Sequence, residues 1–94
     1  MNSMEIDSAL KLAAAEGKII VGEKEVDRCL EKKKARAVIY ASNAPKAAHY
    51  ARLRSVKTHR YGGGSIELGV ACGKPFGVSV VAVTDEGSAA LLGA

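Results

Sequence analysis

Tryptophan is absent from this chain, phenylalanine occurs once and tyrosine three times. With so little aromatic volume, a core has to pack on Ile, Val, Leu and Ala. No apolar stretch approaches the ~20 residues of a membrane span. The opening Met1-Asn2-Ser3-Met4-Glu5 also lacks the basic-then-apolar layout of a signal peptide. The only two cysteines, Cys29 and Cys72, are expected as free thiols of a cytoplasmic protein and not as a disulfide framework. His49 and His59 have no ligand-spaced Cys or His nearby, so neither a metal site nor a cofactor is expected. The acids are spread out, with no pair placed for acid–base work. A triple glycine is present, but it lacks the Lys-Ser/Thr ending of a P-loop, which argues against nucleotide hydrolysis. A Cys72–His59 nucleophile pair is the one catalytic alternative left, and nothing in the sequence favours it.

What remains is one domain of 94 residues with an uneven charge distribution. Residues 1–17 and 61–94 each carry a net charge of −2, whereas residues 18–60 hold twelve Lys/Arg against four acids, a net +8. A basic middle between mildly acidic ends suggests a positive face of the kind that meets polyanions. A solvated lysine-rich surface would look the same.

Periodicity gives the elements. Ser3 can cap a helix whose Ile6, Leu10, Ala13 and Ala14 share a face, ending at Gly17. Residues 18–21 read as a short strand. A helix follows from Glu23 to about Lys33, with Val26, Cys29 and Leu30 as its apolar stripe. Residues 37–41 form an unbroken apolar run, too short for a helix and suited to a strand buried on both faces. Pro45 starts a helix reaching about Arg54. Residues 56–61 alternate as an outer strand. Ser65 can cap a short helix over 66–72, with Ile66, Leu68 and Cys72 facing the core, and Gly73 stops it. Residues 78–83 form a second buried strand, and Asp85 can cap a last helix through Leu92. The order αβαβαβαβα predicts an α/β sandwich with helices on both faces of a four-stranded sheet.

Three loops that follow strands also open helices: Gly22-Glu23-Lys24-Glu25, Ser42-Asn43-Ala44-Pro45 and Gly62-Gly63-Gly64-Ser65. If they meet at one sheet edge, their free N–H groups form a ready anion site. Lys24 adds charge there. Asn43 adds an amide that donates and accepts at once, as reading a base edge requires, although Asn is also a common turn or cap residue. Phe76, after Lys74-Pro75, can stack on an unpaired base or plug the core.

The run Gly64-Ser65-Ile66-Glu67-Leu68-Gly69-Val70-Ala71-Cys72-Gly73-Lys74, then Phe76, then residues 78–87, resembles the large-subunit ribosomal protein family "L thirty e". That family belongs to the kink-turn RNA-binding "L seven Ae" superfamily. Gly17 to Gly22 with Lys24, Ala35 to Ala41 with Asn43 and Pro45, and Tyr50-Ala51 with Leu53 extend the likeness over nearly the whole chain. The resemblance implies a three-layer α/β/α sandwich with a mixed sheet. It also implies binding of ribosomal or other kink-turn RNA, a bent RNA whose G·A pairs expose guanine edges and a flipped-out base.

Position by position, the resemblance places Gly22 and Lys24 in the first contact loop. Glu25 and Arg28 match a Glu and a Lys used in the superfamily. Asn43 matches the base-reading Asn and Phe76 the stacking aromatic, while Gly64, Ser65 and Lys74 complete the RNA-binding set. Neighbouring ribosomal proteins are further implied partners, and the free protein is expected to be a monomer. A kink-turn binder acting on a small ribonucleoprotein or its own messenger is the alternative. The chain departs from the family in a shortened segment between Pro45 and Tyr50, in Gly77 where Arg is common, and in a C-terminus without the usual acidic run.

Overall fold

The computed structural model describes residues 3–54 and 56–85. Eight elements follow one another: α1 (Ser3–Ala15), β1 (Ile19–Val21), α2 (Glu23–Glu31), β2 (Ala37–Tyr40), α3 (Ala47–Ala51), β3 (Lys57–Arg60), α4 (Ser65–Ala71) and β4 (Val80–Val83). The helix expected after Asp85 and the side chain of Ile6 lie outside the described residues.

The sheet runs β1-β4-β2-β3. β4 is antiparallel to both β1 and β2, and β2 is parallel to β3, so Ile39 stands opposite Val81 on one side and His59 on the other. Every residue of the central strands β2 and β4 is buried. Successive strand residues point to opposite faces. Complete burial of Val38 beside Ile39, and of Val81 beside Ala82, therefore requires a cover on each side. That gives the three-layer α/β/α sandwich.

The helices pack as their stripes dictate. Against β1 and β4 lies α2, α3 lies against β2 and β3, and α1 and α4 touch each other. Leu10 and Ala13, Val26 and Cys29, Tyr50, and Leu68 with Gly69 and Ala71 are the buried residues among those described in the four helices, and Cys72 is buried just past α4. Each fully buried Val, Leu or Ile contributes about 1.5–3 kcal/mol, so a core nearly free of aromatics still holds the fold.

Two helices end earlier than their sequence periodicity predicts. The third spans only Ala47–Ala51, because Ala44 and Ala47 close successive tight turns before it, and Arg52 and Leu53 donate to His49 and Tyr50 after it. The second stops at Glu31, where Lys33 takes a left-handed conformation with φ 56°.

The topology decides where a site can be. β1, β2 and β3 run in one direction and β4 in the other, so the ends of the first three meet the start of the fourth. Gly22 N–H donates to Val80 O (3.1 Å), Ala41 N–H to Ser79 O (2.8 Å) and Tyr61 N–H to Tyr40 O (2.8 Å). All three strand-to-helix loops, and the segment carrying Phe76, therefore gather at one edge of the sheet.

Candidate nucleic-acid interface

Gly22 makes the first turn of the site. Its φ of 98° and ψ of 145° lie in a region essentially closed to side chains, and they let β1 pass directly into α2. Gly22 brings no capping side chain, and among the described residues no other group bonds the N–H groups of residues 23–25. Its first N–H groups are left for an outside acceptor. Lys24 and Glu25 stand exposed in this first turn. Arg28, further along α2, sits 3.7 Å from the Glu25 carboxylate. Both partners are exposed, so the pair contributes little to stability.

Asn43 lies beside the second loop junction. Its Oδ1 accepts the Ser65 N–H at 2.9 Å. Ser42 fixes the same junction, donating from both N–H (3.1 Å) and Oγ (3.0 Å) to Gly63 O. The expectation that Ser65 caps α4 is thus corrected. Ser65 is the first residue of the helix, and the cap comes from Asn43, 22 positions earlier in the chain. A Cβ at position 64 would stand 3.3 Å from Asn43 Nδ2, so the amide nitrogen lies over Gly64. Among the described residues Nδ2 has no partner, and its two donors remain available.

The third component is the segment after α4. Val78 N–H donates to Ser65 O at 2.9 Å, which draws this segment onto the start of α4. A Cβ at Gly69 would collide with the carbonyl oxygen of Phe76, so the close approach depends on glycine there. Phe76 itself is 57% exposed and does not plug the core.

Ile66 is a correction: it is 73% exposed, whereas Leu68 and Cys72 are buried as expected. The helix start is turned by the Asn43 cap and the 76–78 contact so that residues 68, 69, 71 and 72 face inward. Ile66 and Val70 are left outside. With Lys74, Pro75 and Phe76 they line an open groove of about 380 Å³. A second open cavity, of about 580 Å³, is lined by Gly22, Lys24 and Glu25 together with Phe76 and Ser79.

Lys46 was not singled out by sequence. Its Nζ lies 3.1 Å from Asp27 Oδ2 and 3.9 Å from Glu23 Oε2, tying the Asn43 loop to the first turns of α2. The i,i+4 spacing of Glu23 and Asp27 was the available signal. What was missing was the knowledge that the two loops adjoin. Beneath the cluster the Tyr50 hydroxyl is buried and makes no well-aligned hydrogen bond. Burial, with Asp27 and Glu23 nearby, pushes its pKa up to about 12. Burial likewise raises the Cys29 thiol, and Cys72 is buried too, so neither is at the surface. No group of three His, Cys, Asp or Glu able to hold a metal occurs among the described residues. Among those residues no helix is long and apolar enough to cross a membrane.

The predicted residues thus fall into bonded or cavity-sharing sets. Asn43, Gly64 and Ser65 form one, Gly22, Lys24 and Glu25 share a cavity with Phe76 in the second, and Lys74 joins Phe76 in the groove. Arg28 stands apart from these, turned to Glu25.

The fold is shared with a protein of unknown function from Bacillus halodurans C, at a TM-score of 0.77 and 25% identity over 97% of this chain and 98% of that one. It is shared too with the Giardia lamblia 15.5kD RNA binding protein, at a TM-score of 0.79 and 24% identity over 97% and 84%. In sequence, residues 4–93 match the profile described as the ribosomal protein L7Ae/L30e/S12e/Gadd45 family, and the chain belongs to that family. It is 39% identical to the large ribosomal subunit protein eL30 of Branchiostoma belcheri, covering 93% of this chain and 81% of the relative. To the eL30 of Methanospirillum hungatei it is 36% identical, covering 95% and 96%.

Proposed function

We propose that the chain is a non-catalytic RNA-binding component of the large ribosomal subunit, at work on the ribosome in the cytoplasm, and that its loop edge recognises a kink-turn. The names of the eL30 relatives support the ribosomal assignment. The observation that carries the site is the divided amide of Asn43: Oδ1 is held by Ser65 N–H while Nδ2 remains unpartnered.

In this reading the uncapped start of α2, with Gly22 and Lys24, receives the bent phosphate chain. Asn43 Nδ2 donates to the acceptor edge of a guanine, and the Glu25 carboxylate accepts from a guanine amino group. An extruded base stacks on Phe76, within the groove that Ile66 and Val70 extend; such stacking contributes about 1–3 kcal/mol. One copy of the protein serves one kink.

A gel-shift titration with a kink-turn RNA and a linear duplex of the same composition tests the proposal. The kinked RNA is expected to bind tighter, and Asn43→Ala to cost about 1–3 kcal/mol of that preference. Equal binding of both RNAs by the wild-type chain would refute it.

A further inference from the structure

We propose that the opposite end of the sheet is a second RNA contact, which holds the phosphates of a separate duplex segment without reading its sequence. The inference rests on the RNA-binding reading above and extends it to a surface that the base-reading edge does not include.

Charge is the first ground. At the loop edge Lys24, Arg28, Lys46 and Lys74 stand among Glu23, Glu25, Asp27 and Glu67, four against four, with Arg60 at the end of the outer strand. The positive charge of the chain lies elsewhere. The connection from α2 to β2 carries Lys32, Lys33, Lys34 and Arg36, and the connection from α3 to β3 carries Arg52 and Arg54, with Lys57 opening the strand. β2 and β3 are parallel, so both connections enter the sheet at the same end, and Lys33, Arg36 and Val56 line a common cavity there. Glu31 is the acid at the end of α2. Among the described residues Glu16, Lys18 and Asp85 also stand at this end, Lys18 pairing with both acids beside the far strand β1, and Asp85 has a further interaction within the fold. Arg36 and Lys57 have interactions of their own within the fold. Lys32, Lys33, Lys34, Arg52 and Arg54 are exposed and take part in none of the ion pairs of the described residues.

The second ground is what accompanies these cations. Residues 30–36 and 52–57 contain no aromatic, Asn or Gln. No aromatic ring and no side-chain amide accompanies the cations, whose lysine ammoniums and arginine guanidiniums are donors suited to phosphate oxygens. Such a contact is sequence-independent and strongly salt-dependent. The third ground is Lys33 itself. It occupies a left-handed position at φ 56°, equivalent to those of Gly17 and Gly73, which end α1 and α4. A cation stands where glycine would sit without strain.

The test uses the intact chain captured on immobilised kink-turn RNA with short arms, followed by a labelled linear RNA duplex at low salt. The wild-type chain is expected to recruit the duplex. The variant Lys32→Gln/Lys34→Gln/Arg54→Gln, which leaves the Lys33 turn in place, should recruit it about tenfold more weakly, with a salt slope smaller by about 2–3, while its capture on the kink-turn is unchanged. Recruitment by the variant equal to wild type would overturn the proposal. So would equally tight binding of poly-glutamate, which would assign this end to acidic protein. Failure of the kink-turn reading shows separately, as loss of preference at the capture step. The duplex titration on free protein then still tests this surface.

Discussion

Asn43 divides its amide between two tasks, one per atom. The oxygen caps α4 through Ser65 N–H, and the nitrogen is left to donate outward. Sequence offered cap and base reader as alternatives, because the capped helix begins 22 residues later and the loop contact that joins them is not local. Tyr50 shows the opposite limit. Its hydroxyl is buried with no well-aligned hydrogen bond, beside two acids, Asp27 and Glu23, that only the fold brings close. Its pKa stands near 12 in the folded chain against 10.0 when unperturbed. The folded state thus holds the proton that the unfolded state releases. The stability tied to the neutral hydroxyl is present in full below pH 10 and is lost as pH rises from 10 toward about 12. Urea midpoints measured across that window should fall for the wild-type chain and fall less for Tyr50→Phe. At neutral pH the same variant should change the midpoint little, since the hydroxyl makes no well-aligned hydrogen bond. An equally steep alkaline decline in the variant would place its cause in another group.

Three of the helices end in the same left-handed wrap. The residue in the left-handed position donates three residues back and its successor donates five back: Gly17 to Ala14 and Lys18 to Ala13, Lys33 to Leu30 and Lys34 to Cys29, Gly73 to Val70 and Lys74 to Gly69. Glycine signalled two of these stops in the sequence. Lysine does not read as a stop, which is why α2 was expected to run on to Lys33. Replacing Lys33 with Gly should relieve the left-handed strain, offset partly by the greater freedom of glycine in the unfolded chain, for a net gain of about 0.5–1 kcal/mol. Chemical denaturation would show this as a raised midpoint, and a lowered one would contradict it. The elements themselves were legible because β2 and β4 are short apolar runs bounded by turns, and α2 has a clear stripe. The face of α4 was not. Ile66, Leu68, Val70, Ala71 and Cys72 make that short helix apolar nearly all round, so periodicity could not tell which side turns inward. The Phe76 segment and the Asn43 cap decide it, and they leave Ile66 and Val70 in the groove.

At the scale of the molecule, one sheet separates two kinds of surface. The edge where β1, β2 and β3 end carries the amide, the aromatic ring and the uncapped helix start, with its charges nearly balanced. The end where β2 and β3 begin carries most of the positive charge, with no aromatic ring or side-chain amide in residues 30–36 and 52–57. The sequence showed a basic middle but could not show that most of it lies away from the loops of Gly22, Asn43 and Gly64, because that depends on β2 and β3 being parallel neighbours. If Asn43 Nδ2 reads the RNA while Oδ1 holds the fold, Asn43→Asp separates the two. Aspartate keeps the acceptor for Ser65 N–H at a helix start that favours negative charge, and it loses the donor. Kink-turn affinity and thermal midpoint measured together on this variant are the most direct test. The expected result is a folded variant with a midpoint near wild type, the helix start's preference for negative charge offset by the nearby Glu67 carboxylate, and with the preference for kinked over linear RNA lost. An Asn43→Asp chain that folds as well as wild type and still prefers the kink-turn would contradict it.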